Sequence, residues 1–369
     1  MGEHKVLNLK FSDVAMQCKE SVDRNNNPYR RYVEGGHIES ETLKLRNWGE
    51  FGDQYVGPAF HRIFKKGQIL YCSRRTYLKK VVIPDFDGIT SNTTFVIEAK
   101  PADGFATELL PFIMLSSSFT KYSILNSKGS TNPYINYKDL DKFEFSLPDI
   151  SVQYRFLKML KKAQDNENIL IKTIQSIMEL NDLVLANEVK NSKDTISLAE
   201  LLIEARSQVK DVFSEKKYIG FEHIDPDDLY LRDFEEVTQI SSQKNSFSSG
   251  DLLYGKIRPY LKKVALAEMD GICSSDILVL TPTHPEFSIN ISWYLKSTYF
   301  SKVAMASAKG SKMPRADWKL LREHRMPASL LDDRYTRIAR EYYSQLLNLN
   351  KQLKSLKALQ VALIDRILE

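Results

Sequence analysis

Residues 64–97, FKKGQILYCSRRTYLKKVVIPDFDGITSNTTFVI, align without a gap against residues 247–280, FSSGDLLYGKIRPYLKKVALAEMDGICSSDILVL. Fifteen of the thirty-four paired positions are identical, where chance supplies about two. The likeness extends outward on both sides: YVEGGHI at 32–38 matches YIGFEHI at 218–224, and SKGSTNPYINYKDL at 127–140 matches AKGSKMPRADWKLL at 308–321. A chain that repeats itself in this way is expected to build one substructure twice.

Each copy is followed by a stretch without helix breakers, since neither Gly nor Pro occurs from 149 to 219 or from 328 to 369. Apolar residues keep a three-four spacing there: Phe156, Leu160, Ala163, Leu170, Ile174, Ile177 and Val184, then Leu346, Leu349, Leu353, Leu356, Leu363 and Ile367, with Gln360 as a polar exception. Helices are expected over 151–188 and 332–368, entered through Pro148 and Pro327, with Ser329 and Asp332 resembling a capping box. Their equal length and heptad spacing suit pairing with each other; packing of each helix on its own domain is the alternative. The repeated segments hold short apolar runs such as QILYCS, KKVVIP and TTFVIEA between DG and SN turns, with helices mainly near 104–126 and 286–306. The expected class is α+β: two repeated mixed α/β domains, mostly β, at 1–150 and 191–327, separated by two long helices at 151–190 and 328–369 that form an antiparallel coiled coil.

Composition narrows the function. No run approaches the roughly 18 apolar residues of a spanning helix, and the start MGEHKVLNLKF lacks the apolar core of a signal peptide. Cys18, Cys72 and Cys273 are odd in number and far apart, which fits neither a disulfide framework nor a zinc site and points to a reducing cytoplasm. His37 and His223 match between the copies, yet neither has a second ligand at metal spacing, so a structural role is expected. Cys72 lies beside two arginines, as an activated thiolate could, but Gly255 replaces it in the second copy, which favours a buried thiol. Trp318, opposite Tyr137, reads as a core anchor. No Gly-rich loop for a nucleotide or S-adenosylmethionine occurs, and Asn132-Pro133-Tyr134 falls one proline short of the tetrapeptide of amino-methyltransferases, so no cofactor is expected.

A net charge of +5 permits a polyanionic partner without requiring one. Its distribution is more informative. Arg74, Arg75, Lys79 and Lys80 interleave with Tyr77, as Lys256, Arg258, Lys262 and Lys263 do with Tyr260. These are dense donors for phosphates, with arginine available for guanine edges, although a solvated charged turn has the same composition. A second surface holds Lys128, Thr131 and Asn132 in one copy and Lys309, Lys312 and Arg315 in the other, sharing the first lysine and diverging after it.

These segments together resemble the DNA-specificity subunit of type I restriction-modification systems. The resemblance rests on GQILYCSRRTYLKK and GDLLYGKIRPYLKK, on KGSTNPYI and KGSKMPRA, and on a proline before each long helix, in the same order twice. It implies two target-recognition domains, each reading half of a split site in double-stranded DNA. It implies also that the helices set the spacer and dock methyltransferase subunits, two of them by symmetry, with a translocating restriction subunit as an optional further partner. The chain itself is then non-catalytic and has no membrane partner. Cys72, Ser73 and Arg74 face Gly255, Lys256 and Ile257, so the halves are expected to read different sequences.

Two other functions compete at this stage. Asp85, Glu98 and Lys100 stand in the order a Mg²⁺-dependent nuclease uses, and a coiled-coil adaptor binding protein alone fits the helices. The copy weakens the nuclease, because Glu98 faces Thr281, Lys100 faces Thr283, and Asp85 keeps only its charge in Glu268.

Overall fold

The computed structural model describes residues 6–23, 26–52, 56–205, 207–209, 215–240, 242–308 and 314–368. The chain divides into two compact units, Met1–Asn168 with Lys354–Glu369, and Ile169–Leu353. Both are mixed α/β.

In the first unit one antiparallel sheet runs in the order Ala15–Cys18, Thr94–Ala99, Ile69–Cys72, Val81–Val82. A second runs Gly49–Glu50, Arg31–Val33, Gly88–Ser91, Phe60–Phe64, with one parallel pair, Arg31–Val33 beside Gly88–Ser91. Ile69–Cys72 is buried along its whole length because alternate side chains serve two cores: Ile69 and Tyr71 join Phe11, Val81 and Phe119, while Leu70 and Cys72 join Val33, Phe64 and Val96. That explains a continuous apolar run where a half-exposed strand would alternate.

The second unit has a sheet of the same order, Leu202–Glu204, Ile277–Pro282, Leu252–Gly255, Val264–Leu266. Its other sheet runs Gln208–Val209, Lys244–Phe247, Gly271–Cys273, Lys216–Ile219, Glu235–Val237, again with one parallel pair, Lys216–Ile219 beside Gly271–Cys273. The Asp-Gly shared by the two segments is scaffold in each. Asp87 accepts a hydrogen bond from the Lys66 N–H (2.7 Å) and Asp270 one from the Ser249 N–H (2.9 Å). A Cβ at Gly88 would lie 2.7 Å from the Phe64 ring and 2.8 Å from the Arg31 carbonyl; at Gly271 it would lie 2.6 Å from Phe247 and 2.7 Å from the Lys217 carbonyl.

The helical stretches expected near 104–126 and 286–306 are each broken. Ser116 and Ser297 adopt extended backbone and cap new helices, α1 (Ser117–Leu125) and α3 (Thr298–Ser307), their hydroxyls accepting from Phe119 N–H and Phe300 N–H at 3.0 Å. The two long helices are α2 (Ile150–Asn191) and α4 (Asp333–Ile367). Asp149 caps α2, accepting from Ser151 N–H at 2.9 Å. The capping box expected at Ser329 is not formed. Ser329 lies in a 3-10 turn, Ala328–Leu331, and donates to Glu188, leaving Asp332 to accept from Arg334 N–H at 2.8 Å.

Each long helix contributes to both units. In the first, Leu157 and Leu160 share a core with Ile364 and Ile367, and Gln360 donates to Glu167 at 3.4 Å, both of them buried. In the second, Leu185 shares a core with Tyr335, Ala339 and Tyr343. Trp318 is buried in that core, as its reading as an anchor requires.

Candidate nucleic-acid interface

In the first unit the buried strand Ile69–Cys72 ends at a turn held in an uncommon conformation. Arg75 (φ 51°) and Lys79 (φ 47°) are left-handed and flank the 3-10 turn Thr76–Leu78. A left-handed residue with a Cβ costs about 1–2 kcal/mol, so two in five residues require outside support. Support comes from the segment 127–135. Arg75 N–H donates to the Pro133 carbonyl (2.7 Å), Ile135 N–H donates to the Ser73 carbonyl (3.0 Å), and Lys128 and Tyr134 exchange backbone hydrogen bonds at 2.7 and 2.9 Å. The two basic surfaces read separately from the sequence therefore meet: Arg74 pairs with Tyr134 across an antiparallel bridge, and exposed Thr131 and Asn132 form the tip of the adjoining hairpin.

The second unit repeats this geometry with other side chains. Arg258 (φ 49°) and Lys262 (φ 51°) flank Pro259–Leu261. Arg258 N–H donates to Pro314 (2.8 Å), Ala316 N–H to Lys256 (2.9 Å), and Ile257 pairs with Arg315. Arg315 lies 3.2 Å from Asp276, where the first unit has Tyr134. Lys309 and Lys312 lie outside the described residues. Tyr77 and Tyr260 stand on the two turns with 52% and 50% of their surface exposed, although an aromatic side chain gains most when covered.

The basic run divides into two kinds of residue, a division invisible in the sequence. Lys79 is ion-paired with Glu41 (3.1 Å), and Lys80 donates to the Gly35 carbonyl. Lys262 donates to Thr298 Oγ1, and its ammonium lies 4.0 Å from Asp182. Lys263 donates to the Phe221 carbonyl (2.8 Å) with its ammonium over the Phe221 ring, and burial lowers its pKa. These four lysines brace the turns. Among the described residues, by contrast, Arg74, Arg75 and Arg258 are exposed and have no ion-pair partner, and Lys128 keeps an exposed side chain 3.8 Å from Asp139.

Among the described residues the activated thiolate and the nuclease gain no support. Burial raises the Cys72 thiol above its ordinary pKa, the reverse of activation. Lys100 donates to the Ser12 carbonyl, and Glu98 accepts from Gln68 and Cys18. Neither Asp85 nor Glu98 joins a metal-ligand cluster among the described residues; the group that does gather is Glu222, His223 and Glu235. There His223 Nδ1 accepts from Gly220 N–H at 2.9 Å, so one of the ring's two nitrogens is engaged in holding the turn. His37 Nδ1 likewise accepts from Glu34 N–H, so both histidines hold turns.

The chain is similar to known proteins. Residues 19–180 match the family described as Type I restriction modification DNA specificity domain. The type I restriction enzyme EcoDI specificity subunit of Escherichia coli is 29% identical over 153 residues, 42% of this chain. The matched stretch spans about a third (33%) of that relative's length. Among solved structures, a type I restriction-modification system S subunit from M. genitalium is similar over 100% of this chain and 97% of its own, at 13% identity and a TM-score of 0.51. A chain from a study of complex assembly and conformational transition of the type I R-M system is similar over 100% and 98%, at 16% identity and a TM-score of 0.51. At such identities the likeness is one of fold.

Proposed function

We propose that this chain, whose residues 19–180 match the type I restriction modification DNA specificity domain, is the specificity subunit of a modification complex, reading a split site in double-stranded DNA with two target-recognition domains. The observation that carries the reading is the recurrence of one supported left-handed turn in both units, with the same exposed arginine and tyrosine (Arg75 and Tyr77, Arg258 and Tyr260) beside neighbours that differ, Arg74 against Ile257 and Tyr134 against Arg315. Strained backbone at the same place twice, bearing the same exposed tyrosine and an arginine without an ion-pair partner among the described residues, is a common scaffold beside which other side chains vary.

Phosphate and base-edge contacts fall to Arg74, Arg75, Tyr77, Lys128, Thr131 and Asn132 in one half and to Lys256, Arg258, Tyr260, Lys309, Lys312 and Arg315 in the other. Lys79, Lys80, Lys262 and Lys263 hold the turns. The recognition domains correspond to 1–150 and 191–327. The helices at 151–190 and 328–369 pair as an antiparallel coiled coil, set the number of unread base pairs and offer their outer faces to two methyltransferase subunits, with a translocating restriction subunit as a further partner. Catalysis belongs to those partners, which assigns the chain to the cytoplasm beside the chromosome. No helix among the described residues is long and apolar enough to cross a membrane.

The test is methylome sequencing of cells with and without the chain. A bipartite motif that is methylated only when the chain is present is expected. An unchanged methylome, or Mg²⁺-dependent cleavage by the isolated chain that Asp85→Ala abolishes, would overturn the reading.

A further inference from the structure

One aspartate on each long helix binds the first amide of a short helix that packs against the left-handed turn of the same unit. In the first unit Asp365 of α4 accepts the N–H of Ser117, the first residue of α1, at 2.8 Å. In the second, Asp182 of α2 accepts the N–H of Thr298, the first residue of α3, at 3.1 Å. Serine caps already serve the Phe119 and Phe300 amides, so each aspartate takes a second orphan donor, with its charge at the positive end of the helix. In both units the helix so held also touches the left-handed turn, directly through the aspartate's own partner in the second unit and through the far end of the helix in the first. At the other end of α1, Ser127 Oγ meets Thr76 Oγ1 at 3.3 Å inside the left-handed turn. In the second unit Thr298 Oγ1 donates to Asp182 Oδ2 and accepts from Lys262 Nζ, and Ser301 Oγ donates to the Pro259 carbonyl at 3.3 Å. Lys262 is itself one of the two left-handed residues.

Resting on the specificity-subunit reading, we infer that Asp182 and Asp365 are positioning residues that fix the DNA-reading turns to the long helices, each acting on the domain that its helix does not follow in sequence. α2 follows the first domain, yet Asp182 sits in the second unit; α4 follows the second, yet Asp365 sits in the first. The Thr298 hydroxyl spends its one proton on a carboxylate and a lone pair on an ammonium, and such a chain of charge-assisted bonds keeps Lys262 in a conformation it would otherwise leave. Loss of the aspartate frees the turn without removing any side chain that faces the DNA.

The test is methylome sequencing of cells whose only copy of the chain is wild type, Asp182→Ala, Asp365→Ala or Thr298→Val. The last keeps the backbone N–H on Asp182 and deletes only the hydroxyl, so it remains informative if Asp182→Ala folds poorly. Expected are about tenfold more methylation at sites mismatched in the second domain's half-site for Asp182→Ala and Thr298→Val, and a similar relaxation confined to the other half-site for Asp365→Ala. Methylation that falls uniformly with an unchanged motif, or relaxes equally in both halves, overturns the inference and leaves a structural cap. Absence of any bipartite motif in the wild-type cells strikes instead at the specificity reading on which it rests.

Discussion

Gly255 has no room for a side chain: a Cβ there would lie 2.7 Å from the Phe221 ring and 3.3 Å from Lys263. The matching position in the first unit is Cys72, and Gly35 stands where Phe221 stands in the second, with a Cβ on Gly35 only 3.0 Å from the Cys72 sulfur. The small and large members of one packed pair have exchanged places, while Lys80 and Lys263 keep the same bond to the carbonyl beneath them. Gly255→Ala is therefore expected to destabilise the second unit by about 1–3 kcal/mol, and Phe221→Ala in the same chain to remove most of that cost; a double-mutant cycle in denaturant measures the coupling, and additive costs would contradict the exchange. Lys296 gives a second expectation at this scale. It is buried, donates to the carbonyls of Asp225, Asp228 and Val264, and lies over the Tyr343 ring. Desolvation brings its pKa down to about 7 against the opposing pull of Asp225, Asp227 and Asp228. Between that value and the ordinary lysine range the unfolded chain holds a proton that the folded chain has released. Its contribution to stability therefore rises with pH from about 7 to the ordinary lysine pKa near 10.5 and is least favourable below 7. Unfolding midpoints across that window should climb in the wild type and flatten in Lys296→Met.

The turn carrying Arg258 shows what an element adds to its residues. Arg258 is exposed, without an ion-pair partner among the described residues, and aimed by a backbone that Pro314 holds from across the sheet edge. Arg258→Ala should weaken or relax recognition of one half-site by about 1–3 kcal/mol and leave the other intact, as duplexes mutated in each half would reveal; equal loss at both halves would contradict reading domain by domain. The long helices were legible in the sequence to within a few residues, because forty positions of apolar spacing without Gly or Pro leave few alternatives. The kinks at Ser116 and Ser297 were not, since a serine inside a helical pattern caps a new helix only where the tertiary structure turns the chain. Nor was the meeting of 74–75 with 133–135, whose backbone pairing has no side-chain signature. The division of the basic run into bracing lysines and exposed arginines escaped for the same reason: it depends on Glu41, Gly35, Phe221 and Thr298, none of which is near in sequence.

Across the whole molecule the repeat and the two helices make a single argument. α2 has 42 residues and α4 has 35, about 60 and 50 Å at 1.5 Å per residue, and each passes from one unit into the other. A buried polar pair, Glu167 with Gln360, interrupts an otherwise apolar seam in the first unit. Such pairs specify register at some cost in stability, because a shift by one residue leaves both partners buried and unmet. If the helices set the unread spacer, their lengths must change together for the register to survive. Inserting one heptad into both, between Asn168 and Ile169 and between Leu353 and Lys354, should lengthen the unread spacer by about 10 Å, or roughly three base pairs, with both half-sites unchanged. Inserting it into α2 alone leaves Glu167 opposite Gln360 but moves Leu185 a heptad away from Tyr335, Ala339 and Tyr343, and should abolish modification instead. The spacer in the methylated motif is the readout: an unaltered spacer after the paired insertion would show that separation is set by the DNA or by partner subunits rather than by this chain.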